Sequence, residues 1–388
     1  MYSGKIQQQV PAKGATATLA KKATEQSPTL KKHFPELDGI RGIAALMVMV
    51  FHYLENKQSV LAEAIPPELL KLSALGQTGV DLFFVLSGFL ITRILLRSKS
   101  QEKFFSIFYA RRSIRILPLY YFYLILVLLI LPVLSGEELP QFWGEGHWYW
   151  WVYLQSFSQT FNWSWVGPRF YWTLAVEEHF YLVWPFLVYF LPRKQLVITS
   201  IFLIVGSFLL RLVMLMHDYE VFYFTLTRLD ALSLGALLAV FEPQILTQKR
   251  SNRNFFLSAF FIVGIPLAAI FAIAAGQGEL WVLAVKYPMT ALVYTALIGF
   301  AITSTNDSLF RKICESRPLC FIGGISYGLY IYHTLCFKWF DQLLPDQNPL
   351  LLLPFAFLFS GLVAWLSFQL LEKPFLRLKR FFEYKPQT

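Results

Sequence analysis

Residues 37–53 read LDGIRGIAALMVMVFHY, and the reading of this stretch decides the fold. It is apolar enough to enter a bilayer, yet Arg41 stands near its start and His52 near its end. The two are eleven positions apart, about three helical turns. Both side chains therefore point along one face, separated by roughly 16 Å along the axis. Charged or titratable groups inside a membrane are costly and by default mark a functional site.

Working outward, the 388 residues are 56% hydrophobic and 18% aromatic, with 15% charged and a mean hydropathy of +0.50. Soluble domains are about one-quarter charged, so a large soluble domain is excluded. Spanning a bilayer takes about 20 apolar residues. Ten segments meet that length, at approximately 38–55, 78–97, 115–134, 171–191, 195–216, 222–241, 254–275, 281–303, 318–339 and 349–371. The expected fold is an all-α integral membrane protein, a polytopic bundle of about ten transmembrane helices with both termini cytoplasmic. The Trp- and Tyr-rich stretch 147–161 is too short to span and is expected to be interfacial or re-entrant.

Charge placement supports this count. Alternate connections hold 25 Lys and Arg, whereas the intervening ones hold only Lys57, Lys71 and Arg169 with many acids. Cytoplasmic loops carry such an excess of basic residues. The net charge of +10 is thus orientation charge and not a nucleic-acid patch. Residues 1–36 are expected to be a disordered basic cytoplasmic tail, 37–375 the transmembrane domain and 376–388 a second basic tail. The aromatic runs WGEGHWYWW and FNWSWVG fit a belt at the outer interface, with a sugar-stacking platform as the alternative. Cys314, Cys320 and Cys336 show no metal spacing and are read as packing residues; no metal site is expected.

Topology assigns depths. His52, Asp81 in GVDLFFVLSGFLITR, Glu177 or Glu178 in YWTLAVEEHFYLVWP, and His333 in ISYGLYIYHTL all fall in the outer half, from four helices. They are expected to meet around a wet cavity, because buried charge must be satisfied. A histidine beside a carboxylate is the arrangement for general-base chemistry. Arg228 and Asp230 are read as a structural ion pair. A second cluster lies at the cytoplasmic face. In FYARRSIRILPLYY, Arg111, Arg112 and Arg115 sit at i, i+3 and i+4 spacing, at the depth of Arg41. Arginine forks suit phosphates, and on spacing alone phosphate binding and topogenic charge remain equal readings. An anion held inside and a His–carboxylate centre about 20 Å further out suit a phosphorylated donor with a long thin arm, such as an acyl-coenzyme A.

These motifs, with RLDALSLGALLA and the terminal LEKP, resemble in order those of the acyltransferase-3 family of integral membrane O-acyltransferases. The resemblance covers about residues 35–380. The family's Arg-ten residues-His motif falls on Arg41 and His52, its Arg-x-x-Arg motif on Arg112 and Arg115, and its acidic positions on Asp81 and Glu177. The segment WTLAVEEHFYL has His179 where the family usually has Gln. The resemblance implies transfer of an acyl group, acetyl being expected, from cytosolic acyl-CoA to a hydroxyl of an extracytoplasmic or lipid-linked glycan, in the plasma (inner) membrane. Acyl-CoA would be a co-substrate, with no permanently bound cofactor. It further implies His52, assisted by Asp81 or Glu177, as the base, and Arg112 and Arg115, with Arg111 and Arg41, on the donor phosphates. Taken with the depth reading, the expected catalytic residues are His52, Asp81, Glu177 and His333, and the expected donor-binding ones Arg41, Arg111, Arg112, Arg115 and Ser87. An acyl-enzyme on His52 or Ser87 and direct transfer both stay open. Some members carry a serine-hydrolase-like domain after the last helix. None follows here, so any such partner activity is expected from another protein. The rival readings are a secondary transporter built on the same polar residues and an inactive scaffold in a glycan-assembly complex.

Overall fold

In the computed structural model, the described residues are 33–57, 61, 66–67, 71, 73–136, 148–163, 167–274, 279–344 and 347–384. The tail expected over 1–36 lies outside them up to residue 32, as do residues 385–388 and the run WGEGH. The described residues are helical, with no strand among them. We label the main helices α1 (Pro35–Asn56), α2 (Gly79–Ser98), α3 (Phe104–Ile125), α4 (Trp172–Phe190), α5 (Arg193–Met216), α6 (Thr225–Thr247), α7 (Lys249–Ala274), α8 (Leu280–Thr303), α9 (Arg317–Gly324), α10 (Ser326–Leu343) and α11 (Pro349–Ser367). Each of the ten expected spans has a helical counterpart. Eight helical stretches are long and apolar enough to cross a membrane, and the bent pair α9 and α10 makes a ninth. The remaining expected span, the fourth in chain order, is α4, 19 residues long but carrying Glu177, Glu178 and His179. Large side chains such as Phe202, Ile262 and Leu358 are more than 70% exposed on the bundle's flank. A lipid-facing surface explains them, because a soluble monomer rarely leaves so many apolar side chains in water. The chain is a multi-pass integral membrane protein.

Three departures from regular geometry shape the interior. The ninth span is not straight: α9 and α10 meet at 76° around Ile325, where Gly323 and Gly324 weaken helical continuity. The third and tenth spans contain π-helical turns at Leu126–Ile130 and Phe368–Glu372, insertions that recur at functional sites. Helices α8 and α11 carry Pro288 and Pro354 within their lengths. The stretch 147–161 forms two short helices, Trp148–Trp151 and Gln155–Thr160. Gln155, Ser156, Ser158 and Thr160 are buried there under the outer ends of α3 and α4, so the segment does not span.

Glycine sets the two closest helix contacts. A β-carbon on Gly88 would stand 1.9 Å from the Leu232 carbonyl oxygen, and one on Gly235 would stand 2.1 Å from that of Val85. Helices α2 and α6 therefore touch backbone to backbone, as small residues permit in membranes. Gly39 and Gly42 do the same for α1. Their β-carbons would meet the carbonyl oxygens of Cys314 at 1.8 Å and Leu319 at 2.5 Å. The glycines of LDGIRG thus clamp α1 against the segment entering α9, and Arg41 between them projects toward the bundle's interior.

Candidate active site

Inner and outer below refer to the faces that the charge pattern assigns. Two cavities adjoin inside the bundle. The inner one, about 110 Å³, is lined by Arg41 of α1, Ser87 of α2, Arg112 and Arg115 of α3, and Glu177 and Glu178 of α4. The start of α10 closes it with Ser326, Tyr327 and Tyr330. The break at Ile325 is what aims this helix start at the cavity, adding the partial positive charge of a helix N-terminus. The outer cavity, about 490 Å³, is lined by His52, Glu55, Arg169, Trp172, Tyr223 and Lys338, among others. Val80 and Tyr330 line both. Tyr330 is held in this dividing position: its hydroxyl donates to the Phe170 carbonyl at 2.8 Å and shares a 2.6 Å hydrogen bond with Thr173.

The inner cavity holds a matched set of charges. Ser87 Oγ donates to Glu177 Oε1 at 2.5 Å. Glu177 also interacts with Tyr181, Arg112 and Arg41. Arg112 lies over the Tyr181 ring at 4.7 Å, and Arg41 reaches Asp38 at 3.4 Å. Arg115 is backed by Glu372 of the π-helical turn. Arg111 is different. Its Nη1 donates to the carbonyls of Phe382 at 2.8 Å and Lys379 at 3.3 Å, and its guanidinium lies 5.6 Å from the Tyr384 ring. The fold directs it at the C-terminal segment and not at the cavity, so the donor-binding place expected for Arg111 is not where the structure puts it. The helical spacing that grouped the three arginines was right, but Arg111 turns to the far side of the group. Arg93 and Arg97 are likewise committed, both to Glu242, at 2.7 and 3.4 Å.

The expected ring of His52, Asp81, Glu177 and His333 divides into three. His52 and His333 do come together, their ring centroids 5.2 Å apart. The carboxylate beside His52 is Glu55, one turn on in α1, with 3.3 Å between Nδ1 and Oε2. Helical spacing of i, i+3 within the expected 38–55 segment points to this pair. His333 is buried, its Nδ1 within 2.9 Å of the Tyr330 carbonyl and 3.1 Å of the Leu329 carbonyl. Those acceptors place the proton on Nδ1, and Nε2 has no hydrogen-bond partner among the described residues. Glu177 sits in the inner cavity. Asp81 faces Arg228, not His52, and Arg228 is also surrounded by the rings of Phe84, Trp172, Phe222 and Tyr287. Asp230 pairs with Arg211 at 2.6 Å, so the expected Arg228–Asp230 pair is replaced by two exchanged pairs. Asp81 of α2 meets Arg228 of α6, the two helices that approach closely where Gly88 faces Leu232 and Gly235 faces Val85. His179 hydrogen-bonds Thr225 at 2.8 Å, away from both cavities.

The site thus joins a cavity with clustered guanidinium groups to a histidine–carboxylate pair across Val80 and Tyr330. The Acyltransferase domain family model matches residues 34–369, and the chain belongs to that family. It is 28% identical over 377 residues to O-acetyltransferase OatA of Staphylococcus aureus, covering 90% of this chain and 58% of that protein. It is 27% identical to peptidoglycan O-acetyltransferase OatA of Listeria monocytogenes, covering 91% of this chain and 57% of that protein. It is also 27% identical to putative peptidoglycan O-acetyltransferase YrhL of Bacillus subtilis, covering 88% and 55%. The chain thus spans somewhat over half the length of these relatives. No solved structure matches it.

Proposed function

We propose that this chain is a membrane O-acetyltransferase, taking an acetyl group from a cytosolic acyl-CoA and passing it to a hydroxyl of a cell-wall glycan on the outer side. The observation that carries this reading is the pair of adjoining cavities, one cationic and one holding His52 and Glu55, divided only by Val80 and Tyr330. The donor is assigned to the inner cavity because guanidinium groups bind phosphate by paired, charge-assisted hydrogen bonds. Glu177 and Glu178 keep those groups oriented when no anion is bound, since buried charge requires a partner. The relatives' names, which specify O-acetylation and in two cases peptidoglycan, agree with the acceptor class.

The chemistry follows from tautomer and position. Glu55 holds the proton on His52 Nδ1, which leaves the lone pair of Nε2 as the base. An acceptor hydroxyl in the outer cavity gives its proton to Nε2, and its oxygen attacks the thioester carbon. The C–S bond breaks, and the CoA thiolate takes the proton from the imidazolium. His333, ring against ring, backs His52 and limits its rotation. A two-step route through a Ser87 ester would instead use Glu177 as the base, and ping-pong initial-rate kinetics distinguish it from direct transfer. The test is purified protein with radiolabelled acetyl-CoA and a peptidoglycan-derived saccharide. Acetyl ester on the saccharide, lost in His52→Ala, supports the reading. Donor that is neither bound nor consumed by the wild type contradicts it and favours the transporter or scaffold alternative.

A further inference from the structure

A third cavity, about 330 Å³, opens beside the outer one and is lined by Ser158, Gln159, Asn162, Trp163, Arg169 and Tyr223. Arg169 and Tyr223 line both cavities, so the two adjoin. We propose that this cavity is a second saccharide subsite, holding the neighbouring sugar of a carboxylate-bearing oligosaccharide whose reacting sugar lies beside His52. The proposal rests on the glycan acceptor assigned above and adds its minimum length and charge.

The local structure builds the subsite from sequence. The short helix Gln155–Thr160 ends with Asn162 in the left-handed region, at φ 51°, a conformation that Asn tolerates. The Trp163 amide then donates back to the Ser158 carbonyl at 2.9 Å, the bond of a Schellman closure. This closure places Trp163 at the cavity edge, 39% exposed. Its ring is stacked on Trp148, with centroids 6.1 Å apart and planes inclined by 28°, so it is a fixed plate. A fixed aromatic plate suits the apolar face of a pyranose, and the amides of Gln159 and Asn162 supply donors and acceptors for its hydroxyls. The Gln159 amide is oriented by donating Nε2–H to the Arg169 carbonyl at 2.7 Å. At the junction, the Arg169 guanidinium has the fork geometry that reads a carboxylate. Lys338 adds a second cation to the wall of the outer cavity. Interfacial anchoring explains an exposed tryptophan but not a groove with amides and an arginine around it.

The experiment measures equilibrium binding, independently of acyl transfer, to the full chain in lipid nanodiscs. The probes are N-acetylmuramic acid, a tetrasaccharide alternating it with N-acetylglucosamine, and the uncharged N-acetylglucosamine tetrasaccharide. The wild type is expected to bind the carboxylated tetrasaccharide about tenfold more tightly than the monosaccharide, the worth of one good stacking contact. Trp163→Ala should erase that difference, Trp163→Phe should keep most of it, and both should leave monosaccharide affinity unchanged. Arg169→Gln should weaken the carboxylated tetrasaccharide to the level of the uncharged one. Equal affinity for the monosaccharide and tetrasaccharide in the wild type, or a length dependence that survives Trp163→Ala, overturns the subsite. Acetyl transfer measured on the same samples is scored separately. Length-dependent binding without transfer defeats the activity but keeps the subsite; transfer without length dependence does the reverse.

Discussion

His52 and His333 lie with ring centroids 5.2 Å apart, one lining the outer cavity and the other fully buried behind it. This pairing ties the end of the first span to the broken ninth one. It also sets the His333 ring on one side of His52, with Glu55 beside Nδ1. His52→Ala is therefore expected to cut acetyl transfer by about 10²–10⁴-fold, the usual contribution of general-base catalysis, with donor affinity retained. Glu55→Gln should lose part of that rate by freeing the tautomer. Single-turnover assays at saturating donor check both, and a His52→Ala variant that keeps full transfer refutes the role.

The arginines separate by direction. Arg112→Gln and Arg115→Ala each remove a guanidinium from the inner cavity and should raise the Kd for acetyl-CoA by about tenfold or more, since charge-assisted hydrogen bonds contribute about 1.5–3 kcal/mol. Arg111→Ala, whose partners are carbonyls of the C-terminal segment, should change that Kd by less than about twofold. Isothermal titration of each variant decides it, and an equal loss in all three contradicts the geometry.

Much of this arrangement was legible from residues alone, and the exceptions have physical causes. The helical counterparts of the ten segments followed from apolar length, because the bilayer admits little but helices. The inner arginine cluster followed from helical spacing. What escaped was set by contacts between distant segments. The Asp81–Arg228 pair joins α2 to α6, whose close approach at Gly88 and Gly235 is not revealed by spacing along one chain. Arg111 depends on residues 379–384 folding back over α3. The seating of α9 on α1 depends on Gly42 against Leu319 and Gly323 against Asp38, and neither glycine announces its partner. Glu55 is the local exception: it closes the 38–55 segment one turn after His52, where helical spacing alone points to the pair.

Asp81 provides a stability test distinct from the catalytic ones. Removing one partner of a buried ion pair costs about 3–5 kcal/mol, whereas removing both is often neutral. Asp81→Ala should therefore lower the unfolding temperature in detergent, and Asp81→Ala with Arg228→Met should recover most of the loss. If Asp81 instead served His52 directly, the single variant would melt normally and the second substitution would restore nothing.

Val80 and Tyr330 line both cavities, and on the proposed route the acyl arm passes between them. Val80→Phe adds bulk where both cavities meet and should reduce transfer by more than about tenfold, the consequence of displacing reacting groups by about 1 Å. Donor and saccharide affinities should each remain near the wild-type value. Binding and turnover measured on one preparation separate this from misfolding, and unchanged turnover would place the route elsewhere.

The most direct test of the central claim uses proteoliposomes with the protein in one known orientation. Radiolabelled acetyl-CoA is supplied on one face and a peptidoglycan-derived saccharide on the other. Two cavities joined through Val80 and Tyr330 predict acetylated saccharide only when the donor is on the cytoplasmic face and the saccharide on the outer face, and none from the sealed His52→Ala vesicles. Product formed only when both substrates share a face would contradict the account.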